Sequence, residues 1–449
     1  MYTSMSQICS GIFRTPISKG WLCLCAKTGQ GWNSSSQQGI LSWLAASMRI
    51  SYWAQLQRLS LLCIKIDLCS LVTLQLGQWP LLTNVAMVDC QLDATAIAHL
   101  VEGDWTNLTC LKLCGNALGA AGLRELIKGK LFKLRTLDLK QTGIDTAAVS
   151  WLDKGNWPAL DSLDLSLNWI VDMHNLSTSA CPKMKKLLLF ECNLNHLATQ
   201  HLVQMDWPYI QSLDLSCNYS LGVYGLLHLA QGKWPQLIEL DLCGTTLDAV
   251  SLPRLFDGRW PLLSTLHLAG ACRETTAITA LSTGTLPRLM HLDIADNNMG
   301  PPALSYLVQA RWPLLETLVL AGNPLGVTGT AILAKAQWPL LECLSLAGCA
   351  LNAAALQHLL RGKWPLLDSL NLNRNHLHIG IAELIASIMG LPQVMSTCTN
   401  DIVDIICKRK WPFCANCSTR SVSYAQSVWY VKILKELGTV VSLLHCKTL

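Results

Sequence analysis

Apolar and polar residues follow two alternating rhythms along this chain. In the first, leucines stand two residues apart, as in Leu111–Leu113 and Leu163–Leu165. This period of two predicts short strands that bury their leucines. In the second, apolar residues recur at i, i+3 and i+4, as at Ile97, Leu100 and Val101, which predicts a helix of about three turns. The chain is therefore expected to repeat strand, turn, helix, turn.

Tryptophan marks the start of most repeats. Eight starts are Trp-Pro pairs, at Trp79, Trp157, Trp207, Trp234, Trp260, Trp312, Trp338 and Trp364. Five more are Trp53, Trp105, Leu131, Cys181 and Leu286. Together they divide residues 53–390 into thirteen units of 24 to 27 residues, with a mean period of 26. A ligand-stacking role for these pairs is conceivable, but we interpret them as structural, because proline stops a helix and the indole fills the joint before the next strand.

Glycine follows many of the expected helices. The positions are Gly103, Gly129, Gly155, Gly232, Gly258 and Gly362. Because the left-handed conformation that ends many helices favours glycine, we expect left-handed helix caps at these positions.

Eleven residues after each repeat start comes a position where the chain turns inward. Its polar occupants are Cys90, Asn116, Thr142, Asn168, Cys192, Asn218, Thr245, Asn297, Asn323, Cys349 and Asn375. An unpaired backbone group in a dry interior costs about 1–3 kcal/mol, so we predict that these side chains form a hydrogen-bonded structural ladder. Ile64 and Ala271 hold the same position without a polar side chain, so their repeats are expected to be locally irregular.

The pattern L-x-x-L-x-L-x-x-N/C/T-x-L resembles that of leucine-rich-repeat proteins. The helical second half of each repeat and the many cysteines are similar to the ribonuclease-inhibitor-like branch, and the Trp-Pro pairs resemble arrays found in unicellular photosynthetic eukaryotes. The resemblance implies an α/β fold, a horseshoe-shaped solenoid with a parallel sheet on the concave face and helices on the convex face. It constrains function less, because this fold serves inhibitors, ubiquitin-ligase adaptors, GTPase regulators and immune receptors.

The middle residue of each L-x-L segment is expected to point to the concave face of the solenoid. This column contains Asp138, Asp164, Asp214, Asp241 and Asp293. One interpretation is an acidic surface for a basic partner protein, with Leu188, Phe190 and Val319 as apolar anchors beside it. The other is that aspartate is simply a common filler at this position of the repeat.

Charge and composition exclude several classes of function. The chain is 51% apolar with a net charge of +5, which excludes a mostly disordered protein. Residues 1–66 carry +6 and residues 391–449 carry +4, against −5 between them, so no single basic face for nucleic acid is expected. No stretch of about 18 uncharged apolar residues predicts a membrane span.

The twenty cysteines are interpreted as free thiols of a cytoplasmic protein, because no export signal is visible. Two weaker alternatives exist. Residues 1–52 faintly resemble an organelle transit peptide, and Cys446 begins a poor prenylation box. We predict no metal site, because Cys414 and Cys417 form only one of the two pairs that structural zinc usually requires.

We divide the chain into three parts. Residues 1–52 are a Ser-rich, acid-free leader with an N-terminal capping helix at 38–52; residues 53–390 are the thirteen repeats; residues 391–449 are a degenerate repeat and C-terminal cap. Phosphate-binding, serine-hydrolase, zinc-protease and kinase motifs are all missing from the sequence. We therefore predict a non-enzymatic scaffold without cofactors that binds a partner protein on the concave face of the repeats. The alternative is an adaptor or regulatory subunit of an enzyme complex, such as a ubiquitin-ligase substrate receptor or a GTPase regulator.

Overall fold

The computed structural model describes residues 21–25 and 55–377, except for 78, 175, 177–180, 206, 257–259, 273–274 and 284–285. The chain divides into two compact units. Unit 1 comprises residues 1–221 and 231–237, and unit 2 comprises residues 222–230 and 238–449. The predicted capping helix at 38–52 and the predicted cap at 391–449 lie outside the described residues.

Unit 1 contains a parallel sheet in which each strand pairs with the next along the chain. Its strands are β1 (Trp21–Cys25), β2 (Arg58–Leu62), β3 (Asn84–Val88), β4 (Cys110–Lys112), β5 (Thr136–Asp138), β6 (Ser162–Asp164), β7 (Lys186–Leu188) and β8 (Ser212–Asp214). Its helices are α1 (Leu68–Leu76), α2 (Ala94–Val101), α3 (Gly119–Leu126), α4 (Thr146–Lys154) and α5 (His196–Gln204).

Unit 2 repeats this arrangement with its own parallel strands. The strands are β9 (Glu239–Asp241), β10 (Thr265–His267), β11 (His291–Asp293), β12 (Thr317–Val319), β13 (Cys343–Ser345) and β14 (Ser369–Asn371). The helices are α6 (Gly222–Leu229), α7 (Ser251–Phe256), α8 (Thr275–Thr283), α9 (Pro301–Leu307), α10 (Gly326–Leu333) and α11 (Ala353–Leu359).

The leucines of neighbouring strands are in register, so the buried side of each sheet is a row of leucine, interrupted in unit 1 by Val85 on β3. Leu111, Leu137 and Leu163 pair in this way across β4, β5 and β6, and all three are buried. Helices pack side by side across the same interior. Each unit is therefore an α/β solenoid of leucine-rich repeats, and the predicted fold class is confirmed.

Two features of unit 1 depart from a uniform repeat. Strand β1 lies within the segment expected to be a leader, where Leu22 and Leu24 pair in register with Leu59 and Leu61. In the repeat that starts at Trp157, the described residues between β6 and β7 form no helix, and this repeat is also short.

Short polar side chains start several helices. Asp93 precedes α2 and accepts the backbone N–H of Ala96 at 2.8 Å, and Asp145 makes the equivalent bond with Ala148 before α4. Such N-caps satisfy one of the free N–H groups at a helix start and stabilise it by about 1 kcal/mol.

The expectation of left-handed glycine caps after the helices is wrong. The φ of Gly155 is −73°, and the other predicted caps among the described residues also lack a positive φ. Gly258 lies outside the described residues. The neighbouring indole explains the glycine instead. A Cβ atom at Gly155 would lie 1.5 Å from Nε1 of Trp157, so this position must have no side chain.

The tryptophans that start the Trp-Pro repeats are all buried. Trp312 and Trp338 stack with their ring centroids 6.4 Å apart and their planes 18° from parallel. The Nε1 atom of Trp79 donates to the carbonyl oxygen of Leu74 at 2.8 Å, and Trp105 bonds Leu100 in the same way. These contacts support a structural role for the Trp-Pro pairs.

Candidate functional site

The outward column of the unit 1 sheet brings three of the predicted aspartates close together. Asp138 and Asp164 are direct neighbours on β5 and β6, whereas Leu188 on β7 separates Asp164 from Asp214 on β8. Adjacent strands are about 4.8 Å apart, so the three carboxylates and the leucine share one small surface.

Each aspartate of the column also stabilises the end of its own strand. One carboxylate oxygen accepts the backbone N–H two residues later, at 3.1 Å for Lys140 onto Asp138 and 2.9 Å for Ser166 onto Asp164. Asp214, Asp241 and Asp293 make the same bond, and Asn371 makes it with an amide oxygen. Aspartate at this position therefore stabilises the strand end by a hydrogen bond, whether or not a partner protein binds.

Burial changes the acidity of two of these carboxyl groups. Burial raises the pKa of Asp138, and the negative charge of Asp164 raises it further. The hydrogen bond from the backbone N–H of Lys140 lowers this pKa but does not cancel the increase. Burial also raises the pKa of Asp293, while the neighbouring His267 opposes the shift. Partly desolvated carboxylates of this kind interact more strongly with a cation than fully hydrated ones do.

In unit 2 the column is mixed rather than purely acidic. His267 on β10 lies between Asp241 on β9 and Asp293 on β11, and Val319 on β12 follows. The Nε2 atom of His267 is 3.9 Å from a carboxylate oxygen of Glu239. Val319 is half-buried in this row.

The predicted apolar anchors divide between the two units. Leu188 and Phe190 are half-buried in unit 1, on the same segment of chain, whereas Val319 belongs to unit 2. The ammonium of Lys140 lies 5.8 Å from the ring centre of Phe190, within the range of a cation–π contact.

The inward turns hold the predicted ladder residues. The Oδ1 atom of Asn116 accepts the backbone N–H groups of Cys90 and Leu92 in the preceding repeat, each at 3.0 Å. Its Nδ2 donates to the carbonyl oxygens of Met87 and Leu113, each at 2.7 Å. One buried amide thus pairs four backbone groups in two repeats.

The other ladder asparagines act in the same way. Asn168, Asn218 and Asn323 each accept two backbone N–H groups from the preceding repeat and donate to carbonyl oxygens of both repeats. Asn297 accepts the N–H of Cys272 at 2.7 Å, and Asn375 accepts that of Leu351 at 3.0 Å.

Cysteine and threonine fill the ladder differently. The Sγ atoms of Cys90, Cys192 and Cys349 lie 3.1–3.2 Å from carbonyl oxygens of the preceding repeat. Thr142 and Thr245 donate only within their own repeat, each at 2.6 Å. Each asparagine pairs backbone groups of the preceding repeat as well as of its own. Cysteine and threonine, which make fewer hydrogen bonds, can therefore occupy the repeats between asparagines.

The repeat that contains Ala271 is irregular by one residue. Asn297 accepts the N–H of Cys272 instead of that of Ala271, whose N–H bonds the carbonyl oxygen of Leu268 at 3.2 Å. The carbonyl oxygen of Ala271 accepts the N–H of Leu247 at 2.9 Å. The backbone carbonyl of Ala271 therefore accepts a hydrogen bond that an asparagine side chain accepts in other repeats, as Asn116 does from Leu92.

Sequence reasoning missed two exposed aromatic residues. Trp169 and Tyr219 directly follow the ladder residues Asn168 and Asn218 and are 67% and 62% exposed. The equivalent residue is small or polar in most other repeats, as at Ala117. The signal that could have found them is this departure from the usual occupant, because exposed Trp and Tyr are enriched at binding sites.

One cluster of titratable side chains joins the segment after β6 to helix α5 in unit 1. The Asp172 carboxylate is 2.7 Å from Nδ1 of His201 and 3.0 Å from Nδ1 of His174. The two imidazole rings are 6.0 Å apart. Across the described ranges, no group of three or more His, Cys, Asp or Glu residues has the geometry to hold a metal ion.

A search for membrane-crossing helices among the described residues finds none of sufficient length and hydropathy. No protein-family model and no curated protein matches the chain. An internalin (inlF) from Listeria monocytogenes is a similar solved structure, at 17% identity and a TM-score of 0.37. The match covers 75% of this chain and 89% of that chain.

Proposed function

We propose that this chain is a non-enzymatic protein–protein interaction scaffold that binds a partner protein on the outward face of its sheets. A solenoid presents a large surface whose side chains vary while buried leucines hold the shape. Helical second halves and free cysteines support a place in the ribonuclease-inhibitor-like branch and a cytoplasmic location.

One observation carries this proposal: Asp138, Asp164, Leu188 and Asp214 lie together on the outward face of four adjacent strands. An apolar residue among carboxylates suits a partner with an apolar side chain surrounded by basic ones. The carboxylates would mainly set orientation and association rate, because exposed ion pairs contribute only about 0–1 kcal/mol each. Leu188 and Phe190 would supply affinity.

Photo-crosslinking tests the binding face. A photoreactive amino acid is placed at position 188 on the sheet or at position 147 on the exposed side of α4, and the full chain is exposed to a cell extract. The proposal expects reproducible protein crosslinks from position 188 that are missing from position 147. Crosslinks of equal pattern from both positions, or none from 188, would contradict it.

A second experiment tests the acidic column through the crosslinked partner. Replacement of Asp138, Asp164 and Asp214 by Asn keeps the bond to the backbone N–H, as Asn371 does naturally, and removes three charges. The association rate with the partner should fall and depend less on salt. The control is a second triple variant, Glu102→Gln, Asp104→Asn and Asp153→Asn, which should leave the association rate unchanged. An unaltered rate at low salt would mean that aspartate here serves only the strand ends.

The alternative is an adaptor or regulatory subunit of an enzyme complex. It requires a recruiting segment outside the repeats, and the basic stretches at residues 1–52 and 391–449 are the candidates. Affinity capture with the full chain and with residues 53–390 separates the two functions. Loss of catalytic partners with the end segments would favour the adaptor, whereas an unchanged set of partners would favour the scaffold.

A further inference from the structure

The exposed aromatic residues Trp169 and Tyr219 define one edge of unit 1, called here the aromatic edge. Each directly follows a ladder asparagine and lies five residues after the end of its strand, β6 for Trp169 and β8 for Tyr219. The buried amides of Asn168 and Asn218, each bonded to the preceding repeat, fix the backbone beside them. The two rings are therefore held on a rigid support.

The spacing of the aromatic edge is set by the sheet. The repeat of β7 lies between the two aromatic residues and places Asn193 at the equivalent position. Two steps of about 4.8 Å separate Trp169 and Tyr219 by about 9.6 Å along the sheet. A polyproline II helix repeats every three residues, or about 9.3 Å. Residues on the same face recur about every 6.7 Å in a strand and about every 5.4 Å in an α-helix. Both repeats match the spacing of Trp169 and Tyr219 less well than the polyproline II repeat does.

The charge around the aromatic edge is negative. Asp164 and Asp214 flank Leu188 on the adjoining sheet face, and the exposed Glu191 precedes the intervening turn. Two bases lie close to this surface: Lys186 on β7, and Lys140, whose ammonium is 5.8 Å from the ring centre of Phe190. Three carboxylates against two ammonium groups leave a local charge of about −1, which suits a ligand that carries a basic side chain.

We propose that the aromatic edge binds an extended, proline-rich segment of a partner protein, with an arginine or lysine next to the prolines. Successive prolines at i and i+3 pack against Trp169 and Tyr219, and the basic side chain lies near Glu191. A polyproline II helix is already extended before binding, so it loses little conformational entropy. This inference rests on the proposed function, because it names the class of partner.

Binding of synthetic peptides to the full chain tests the proposal by fluorescence anisotropy. The probe is a labelled peptide with Pro-x-x-Pro and a flanking arginine; one comparison peptide has alanine for both prolines and another has glutamine for arginine. We expect the alanine peptide to bind at least about tenfold more weakly, because it loses the packing of both prolines on the aromatic rings. The glutamine peptide should bind more weakly and with less dependence on salt.

Variants of the protein locate the site. Trp169→Ala and Tyr219→Ala should each raise the Kd of the proline peptide about fivefold to tenfold, and Glu191→Gln should remove part of its salt dependence. Tyr209→Ala is the matched control, because Tyr209 is also exposed, at 53%, in the same unit but away from this edge. Thermal denaturation of each variant verifies that folding is unchanged.

Two results would overturn the assignment: equal affinity for the proline and alanine peptides, or equal loss of binding in Tyr209→Ala and the aromatic-edge variants. Neither result changes the expected crosslinks from position 188. The peptide-binding inference can therefore be wrong while the scaffold function is still supported. If those crosslinks are missing but the peptides behave as expected, the aromatic edge still binds proline-rich segments and the sheet face does not bind a partner.

Discussion

The side-chain oxygen of Asn116 accepts the backbone N–H of Cys90, 26 residues earlier in the chain, at 3.0 Å. The same amide also pairs the N–H of Leu92 and two carbonyl oxygens. A residue on one repeat thereby completes the turn of the repeat before it. The stability of such a fold depends on these contacts between neighbouring repeats.

Asn116→Ala should strongly destabilise the protein. It leaves several buried backbone groups without a partner, so we expect the free energy of unfolding to fall by about 3 kcal/mol or more. Thr142→Val is the matched control. It removes only the hydrogen bond from the Thr142 hydroxyl to the carbonyl oxygen of Leu139, so the free energy of unfolding should fall by about 1 kcal/mol. Urea denaturation measures both. Similar losses for the two variants would contradict the ladder as described.

The glycine before each indole gives a second prediction. Gly155→Ala places a methyl group against Nε1 of Trp157, which must then move from its buried position. We expect a loss of about 1–3 kcal/mol, typical of an overpacked core. At Gly129 the repeat starts with Leu131, and a methyl group would lie 3.2 Å from its nearest neighbours. Gly129→Ala should therefore cost less than Gly155→Ala, and equal melting temperatures for the two variants would argue against the indole contact.

Period and residue type could predict most of the fold. The leucine alternation identifies the strands, and the spacing from each tryptophan identifies the turn residues, because every repeat must bury the same face. Strand β1 was missed because Trp21–Cys25 is one short segment without the surrounding repeat. The role of Gly155 was missed because glycine suits either a left-handed turn or a close contact, and sequence does not distinguish them.

The candidate site could be predicted only in part. The column of aspartates followed from the strand pattern, but its hydrogen bonds to the backbone did not, because a carboxylate at the end of a strand can either face a partner or accept its own chain. Trp169 and Tyr219 were missed for another reason. Each departs from the small or polar residue usual at its position of the repeat, but only the structure shows that its ring is exposed.

Burial should protect the ladder cysteines from alkylation. It raises the pKa of Cys90 and Cys192 to about 12 and that of Cys349 to about 11, so few thiolates form at neutral pH. Site-resolved mass spectrometry after treatment with N-ethylmaleimide should show these three unlabelled in the native protein and labelled in urea. The exposed Cys69 serves as the positive control. Rapid native labelling of Cys90 would contradict its position in the structure.

The Asp172 cluster makes stability depend on pH in a defined direction. Burial alone would raise the pKa of Asp172, but the hydrogen bond from His201, the N–H of Met173 and the contact with His174 outweigh it and lower the pKa below its usual 3.8. A carboxyl group whose pKa is lowered by folding stabilises the folded state above its unfolded pKa. That contribution disappears as the pH falls through the lowered, folded value.

Asp172→Asn should therefore destabilise the protein at pH 7 by no more than about 1 kcal/mol, since both histidines are partly exposed. Thermal denaturation at a series of pH values should show the difference between wild type and variant shrinking below about pH 4, where the unfolded carboxyl group is protonated. Asp104→Asn, which removes the same charge from an exposed turn, controls for net charge. A difference that stays constant down to the lowest pH at which the protein folds would show that the carboxylate's bonds to His174 and His201 do not contribute.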